Sequence, residues 1–338
     1  MSIEFIDLKT QYLDLENNIR ERVQKVFDHR QFILGPEVAE CEQALSQFCG
    51  APYTVTCSNG TIAAMMAMMA CDIGPGDEVI VPAFSFIATA ETVLLLGAEP
   101  VYVDIDPKTF NLNTNQLQQA LSKRTKAIMP VALYGQPADM DEINAFAQKN
   151  NLIVIEDAAQ SFAAPYKNKK SCNLSRLAIT SFFPAKPLGC YGDGGAIFTD
   201  SKELNEKLIE IRNHGQPKRY YHTRLGLNGR MDTLQCAILM AKLSRYSQEI
   251  EVRQQAANYY NEHLQKFSEK GVQVPILAED RGSVWAQYTL RVKNREQLQK
   301  KLTELGVPTS IHYPMTMADQ PAYKNKGRCL DITESQQA

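Results

Sequence analysis

The run Leu152-Ile153-Val154-Ile155-Glu156-Asp157 is apolar on both alternating sets of positions until it ends in two carboxylates. A strand with one wet face alternates; a strand under helices on both sides does not need to. The same double-sided pattern recurs in VIVP (79–82) and VYVD (101–104). Working outward, seven short β-rich runs alternate with helical stretches: 53–57, 78–82, 99–103, 127–133, 152–156, 178–182 and 195–199. This rhythm predicts an α/β fold with a doubly wound, mainly parallel seven-stranded sheet. Ligands of such sheets bind where strands end in loops, so Asp157 stands where chemistry is expected.

Two amphipathic helices precede the sheet. Leu15, Ile19, Val23 and Val26 define one face, and Val38, Cys41, Leu45 and Phe48 a second, which starts at Pro36 and stops before Gly50. Two long helices are expected over 231–268. Beyond Ser283, a strand-like AQYTLRV, a helix near 295–305 and SIHYP point to a smaller α+β part. The division is placed at 1–250 for the large domain and 251–338 for the small one. A chain of 338 residues suits such a pair.

Composition excludes several classes of function. The net charge of −2 and the lack of a long basic run argue against nucleic acid as a main partner. Eight cysteines without a CxxC pair, and no His cluster at ligand spacing, argue for reduced thiols in the cytoplasm and no metal. No apolar run approaches a bilayer span, so no membrane association is expected.

The densest chemical signal is Ser181-Phe-Phe-Pro-Ala-Lys186-Pro-Leu-Gly-Cys-Tyr-Gly-Asp-Gly-Gly195. A lysine between prolines and followed by glycines sits where backbone can approach a bound ring, and burial beside Phe182, Phe183 and Leu188 would free its amine for a Schiff base. A surface lysine in a glycine-rich hairpin is the plainer reading of that segment alone. Asp157 has the position to hold a pyridine nitrogen protonated, or merely to cap the next loop, with Gln160 and Ser161 as further polar candidates. Cys57-Ser-Asn-Gly-Thr61 joins a strand to a helix start. Its free N–H groups can bind phosphate, with Gly60 allowing close approach and Thr61 adding a hydroxyl; a simple N-cap is the alternative. Phe84 or Phe86 could stack on a cofactor ring or belong to the core.

These motifs, together with FIDLKTQY, FILGPEVAECE, GPGDEVIVPAFSFIATAE, PVYVDIDP, LYGQPADM, LNGRMDTLQCAIL and SIHYP, resemble the DegT/StrS-type sugar-nucleotide aminotransferases over nearly the whole chain. The resemblance implies the fold type I aspartate-aminotransferase architecture and pyridoxal 5′-phosphate (PLP) as cofactor. It makes Lys186 the Schiff-base lysine and proton carrier, Asp157 the partner of the pyridine nitrogen, and Gln160 the neighbour of the phenolic oxygen. Gly60, Thr61 and Ser181 would hold the phosphate, Asn228 would reach in from the other subunit of a homodimer with shared sites, and Phe86 would stack on the ring. Arg230, His312 and Tyr313 match positions that contact the nucleotide-sugar, with glutamate as amino donor.

The lysine motif is most similar to enzymes that aminate UDP-2-acetamido-2-deoxy-3-oxo-glucuronate for surface polysaccharides such as O-antigen. The alternatives are C4 amination of a UDP-keto-sugar, C3 amination of a dTDP-keto-deoxysugar, and a PLP-binding regulatory protein without turnover. Dehydratase relatives carry histidine in place of Lys186. Two departures stand out: Ala163 where the family has glycine, expected to crowd a turn, and an end at ITESQQA where relatives continue, from which a shortened small domain is expected.

Overall fold

The computed structural model describes residues 3–338. Its main sheet contains β1 (Tyr53–Cys57), β2 (Glu78–Pro82), β3 (Glu99–Val103), β4 (Thr125–Ile128), β5 (Ile153–Asp157), β6 (Leu177–Ser181), β7 (Gly195–Thr199) and β8 (Arg328–Cys329). The spatial order is β1-β7-β6-β5-β4-β2-β3-β8. Neighbours are parallel from β6 to β8, while β7 runs antiparallel to both β1 and β6. All seven expected strands form. The expected count of seven is corrected to eight by β8, a two-residue edge strand too short to show a pattern in sequence.

Two further expectations are corrected. The run 127–133 forms a continuous strand only as Thr125–Ile128, because Pro130 follows and has no N–H to offer a ladder; beyond it a single parallel bridge joins Val131 to Asp157. Of AQYTLRV only Arg291–Val292 pairs, with Val272–Gln273. Ahead of it, the chain docks across Gly135, with Val284 N–H donating to its carbonyl at 3.1 Å.

Helices cover both faces. Helix α1 (Leu8–His29) is capped by Asp7, which accepts from Thr10 N–H, and buries Leu15, Ile19 and Val26. Helix α2 (Pro36–Cys49) buries Val38, Cys41 and Leu45 and ends at Gly50, whose φ of +81° is left-handed. Helix α3 (Gly60–Ala70) follows β1, and α4 (Ala88–Leu95) follows β2. The helix Tyr246–Leu264 runs unbroken through residue 250. After 316 the chain returns to the sheet: Met317 N–H donates to Ala83 O, β8 lies on β3, and Ser335 N–H and Oγ donate to Asp104. Ala163 sits in a turn at φ +58°, which glycine would adopt without strain.

The parallel arrangement puts the carboxyl ends of β1, β2, β4, β5 and β6 on one side of the sheet. Cys57 and Ser181 both pair with Gly195, so three strand ends share one row. A β-carbon on Gly195 would lie 2.6 Å from the Asn59 carbonyl carbon. Just behind this row Glu156 is buried; Ser171 Oγ donates to it at 2.6 Å, Cys172 N–H at 3.1 Å and Leu174 N–H at 3.2 Å.

Burial nonetheless pushes the Glu156 carboxyl up to about 7 from its ordinary 4.5. The unfolded chain therefore releases this proton first, and the group's contribution to stability falls as pH rises between those values, by at most about 3 kcal/mol. The melting temperature of the wild type relative to Glu156→Gln is expected to fall as pH is raised through that window. A difference that stays flat with pH would show that the carboxyl is ionised throughout.

Candidate active site

Lys186 lies in the loop after β6, its N–H donating to Phe183 O at 2.8 Å. Desolvation lowers the pKa of its amine, and the negative charge of Asp157 offsets part of that shift. Asp157, at the end of β5, is buried. Its carboxyl is raised by burial, and opposed by the Ala159 N–H, by Lys186 and by the Thr89 hydroxyl. The bonds are 3.0 Å from Ala159 N and 3.3 Å from Thr89 Oγ1. The same dry environment thus moves the lysine and the carboxyl toward their neutral forms, and their mutual attraction limits the change. That places an amine and an acid of adjustable charge beside each other.

Gly60 opens α3, with Asn59 accepting from Ile62 N–H at 2.9 Å as N-cap. The capping role and the free N–H groups coexist, since Gly60 N–H and Thr61 N–H have no protein acceptor among the described residues. A β-carbon on Gly60 would stand 2.7 Å from Ser181 Cβ. The helix start and the serine therefore form one tight cradle, whose donors suit a phosphate.

Phe86 is half exposed above this end of the sheet while Phe84 is buried, which separates the stacking candidate from the core residue. Tyr313 bridges them, 6.1 Å from each ring. Gln160 donates from Nε2 to Tyr313 Oη at 3.1 Å and accepts from Tyr134 N–H at 2.7 Å. Burial lowers the His312 imidazole pKa, with a smaller push from the charge of Lys186. Nine candidates therefore converge here: Gly60, Thr61, Phe86, Asp157, Gln160, Ser181, Lys186, His312 and Tyr313. Asn228 and Arg230 are held instead against Asn213, by a single β-bridge and by Arg230 Nη1 donating to Asn213 Oδ1 at 2.8 Å. Their loop touches the cradle where Ser58 N–H donates to Gly229 O. Asn228 is exposed, and the buried Nε of Arg230 lacks an acceptor.

Three residues escaped the sequence reading. Thr89 lies within FIATAE, and its spacing from Phe86 on a helix start was the available signal. Tyr134 lies within LYGQPADM, quoted without a role. Phe5 stacks on His312 at 6.4 Å; it opens FIDLKTQY, a motif that carries the resemblance but gave this residue no role.

A match to the DegT/DnrJ/EryC1/StrS aminotransferase family runs over residues 13–338. The chain belongs to this family. It is similar to UDP-2-acetamido-2-deoxy-3-oxo-D-glucuronate aminotransferase of Pseudomonas aeruginosa, at 55% identity over 98% of this chain and 91% of that protein. Among solved structures it resembles a DegT DnrJ EryC1 StrS aminotransferase from Brucella abortus, with a TM-score of 0.95 and 41% identity over 98% of this chain and 91% of that one. It also resembles NtdA from Bacillus subtilis with bound cofactor PMP, with a TM-score of 0.88 and 33% identity over 95% and 75% of the two chains. The fold is that of the PLP-dependent aminotransferases, and the chain is a PLP-dependent transaminase. No helix among the described residues is long and apolar enough to cross a membrane.

The cradle fits the cofactor: two unbonded N–H groups, a serine hydroxyl and a glycine with no room for a side chain face one phosphate-sized task. Gly60→Ala is expected to displace Ser181 and weaken PLP binding by about tenfold or more, read by absorbance titration. Unchanged affinity would show that the phosphate is held elsewhere.

Proposed function

We propose that this transaminase moves an amino group from glutamate to C3 of UDP-2-acetamido-2-deoxy-3-oxo-glucuronate in the cytoplasm, for a surface polysaccharide such as O-antigen. The observation that carries the reading is the 55% identity across 98% of the chain to the P. aeruginosa enzyme of that substrate. The unpartnered Nε of Arg230 adds a cation with a free donor, which a uronate carboxylate would satisfy.

In this reading residues 1–250 bind the cofactor and residues 251–338 form the smaller part that brings His312 and Tyr313 to the substrate. Gly60, Thr61 and Ser181 hold the phosphate, with Asn228 from the partner of a homodimer. Phe86 would cover the ring face, Asp157 would partner the pyridine nitrogen, and Gln160 would neighbour the phenolic oxygen. PLP supplies an electron sink for the charge that develops at the reacting carbon. Asp157, raised by burial and opposed by the Ala159 N–H, Lys186 and the Thr89 hydroxyl, would hold a proton on the ring nitrogen. Lys186 Nζ, desolvated and so available as a free amine, takes the proton from Cα of glutamate and later delivers one to the sugar carbon that receives nitrogen.

Purified protein with PLP is expected to show a visible band that is altered in Lys186→Ala and bleaches with glutamate. The rising limb of the bleaching rate with pH should lie below the ordinary lysine value of 10.5, because burial lowers the Lys186 pKa. Adding the keto-sugar should restore the band; a protein that bleaches with glutamate but ignores this sugar and responds to a UDP-4-keto-sugar or a dTDP-keto-deoxysugar would move the substrate. No turnover with any donor would favour the regulatory reading. Mixing inactive Lys186→Ala with Asn228→Ala should regain activity through one intact shared site per mixed dimer. A monomer with full activity would remove the partner's role.

A further inference from the structure

LYGQPADM contains the residue with the most connections at the seam between the cofactor and the substrate side. Tyr134 is buried, and its φ of +58° is unusual for a non-glycine residue. Such a conformation persists where the surroundings over-determine it. Here every polar group of the residue is engaged. Its N–H donates to Gln160 Oε1 at 2.7 Å, its carbonyl accepts from Gln287 N–H at 3.5 Å, and its phenol donates to the His312 carbonyl. Its ring meets Phe110 edge to face at 5.6 Å.

These bonds close on themselves. Tyr134 N–H meets the Gln160 amide, the other end of that amide meets Tyr313 Oη at 3.1 Å, the chain steps back one peptide to His312, and the His312 carbonyl receives the Tyr134 phenol. In such a loop the position of each member is fixed from two sides, so opening one bond loosens the far side most. The inner member, Gln160, is held by a main-chain N–H that no side-chain substitution removes. The outer member is the His312–Tyr313 segment, whose other ties are ring contacts with Phe5, Phe84 and Phe86.

We infer that Tyr134 is a positioning residue for the nucleotide-sugar half of the transamination: its phenol ties the His312–Tyr313 segment to the residue that locates Gln160. This rests on the substrate-facing role given to His312 and Tyr313 above. The glutamate half depends on Lys186, Asp157, Thr89 and the phosphate cradle, none of which bonds to this loop, and on Gln160, whose bond to the Tyr134 main-chain N–H survives loss of the phenol. The phenolic bond can therefore be removed with those groups left in place.

Tyr134→Phe deletes only the hydroxyl. Single-turnover bleaching by glutamate should stay within about twofold of wild type, while kcat/KM for the keto-sugar falls about fivefold to tenfold, mainly through KM. Calorimetry with UDP-2-acetamido-2-deoxyglucuronate, which has no ketone to react, should show a similar loss of affinity. Phe110→Leu is the companion variant: it loosens the packing of the same ring without touching the hydroxyl, and should lower the melting temperature while leaving the ratio of the two half-reactions unchanged.

Equal losses in both halves for Tyr134→Phe would overturn the inference in favour of a purely structural role. So would no loss in either, or a ratio that shifts as much in Phe110→Leu. Wild-type protein that bleaches with glutamate yet neither binds the probe nor turns over the keto-sugar refutes the substrate reading, and this inference with it.

Discussion

Three strand ends are pulled together at Gly195, and the site exists because no β-carbon intervenes. Cys57 and Ser181 flank that glycine in the ladder, and Asn59 and Gly60 pass within contact distance of it and of Ser181. A helix start can then be presented directly over a sheet, with its N–H groups turned to the same space as a strand-end serine. Moving either backbone outward by the width of a methyl group would separate the donors and leave each to water. The rest of the machinery is arranged around this fixed point: β5 runs beside β6 and delivers Asp157, and the loop after β6 delivers Lys186.

The electrostatics follow from that compactness. A lysine and an aspartate in water at neutral pH are both charged and stay so. Removed from water, both are driven toward neutrality, and only their proximity and the donors on Asp157 hold them back. The outcome is a pair in which burial shifts each group toward its neutral form and the other's charge opposes the shift, which suits a residue that has to accept and release a proton within one catalytic cycle. Glu156, next in the chain and on the other side of the strand, shows what burial does without a lysine: its carboxyl rises even with three donors directed at it.

Much of this was legible because it depends on residues close together in sequence. Strand limits at Tyr53–Cys57, Glu99–Val103 and Gly195–Thr199 coincide with their apolar runs, and Lys186, Asp157 and Gly60 sit where the ends of those runs place them. What escaped is what depends on pairing at a distance. Two residues at Arg328–Cys329 show no periodicity, and only the exposed edge of β3 gives them a partner. AQYTLRV has strand composition but mostly lacks a neighbour to pair with, so propensity was overridden by docking. The link between Tyr134 and Tyr313 runs through a glutamine far from both, and no local pattern records it.

The return of the chain to β3 has a consequence for biosynthesis. During translation β1 to β7 are all made before residue 328 emerges, so the outer edge of β3 stays uncovered for the time needed to synthesise the intervening residues. An uncovered strand of this kind is a template for pairing with another nascent chain. Residues 328–329 thus cover this edge after the other strands are made, and the same return of the chain brings residues 312–317 down on the loop that follows β2. Arrival of residues 312–317 at the cleft and covering of the β3 edge are therefore linked, and a chain interrupted between β3 and residue 312 would be deficient in both.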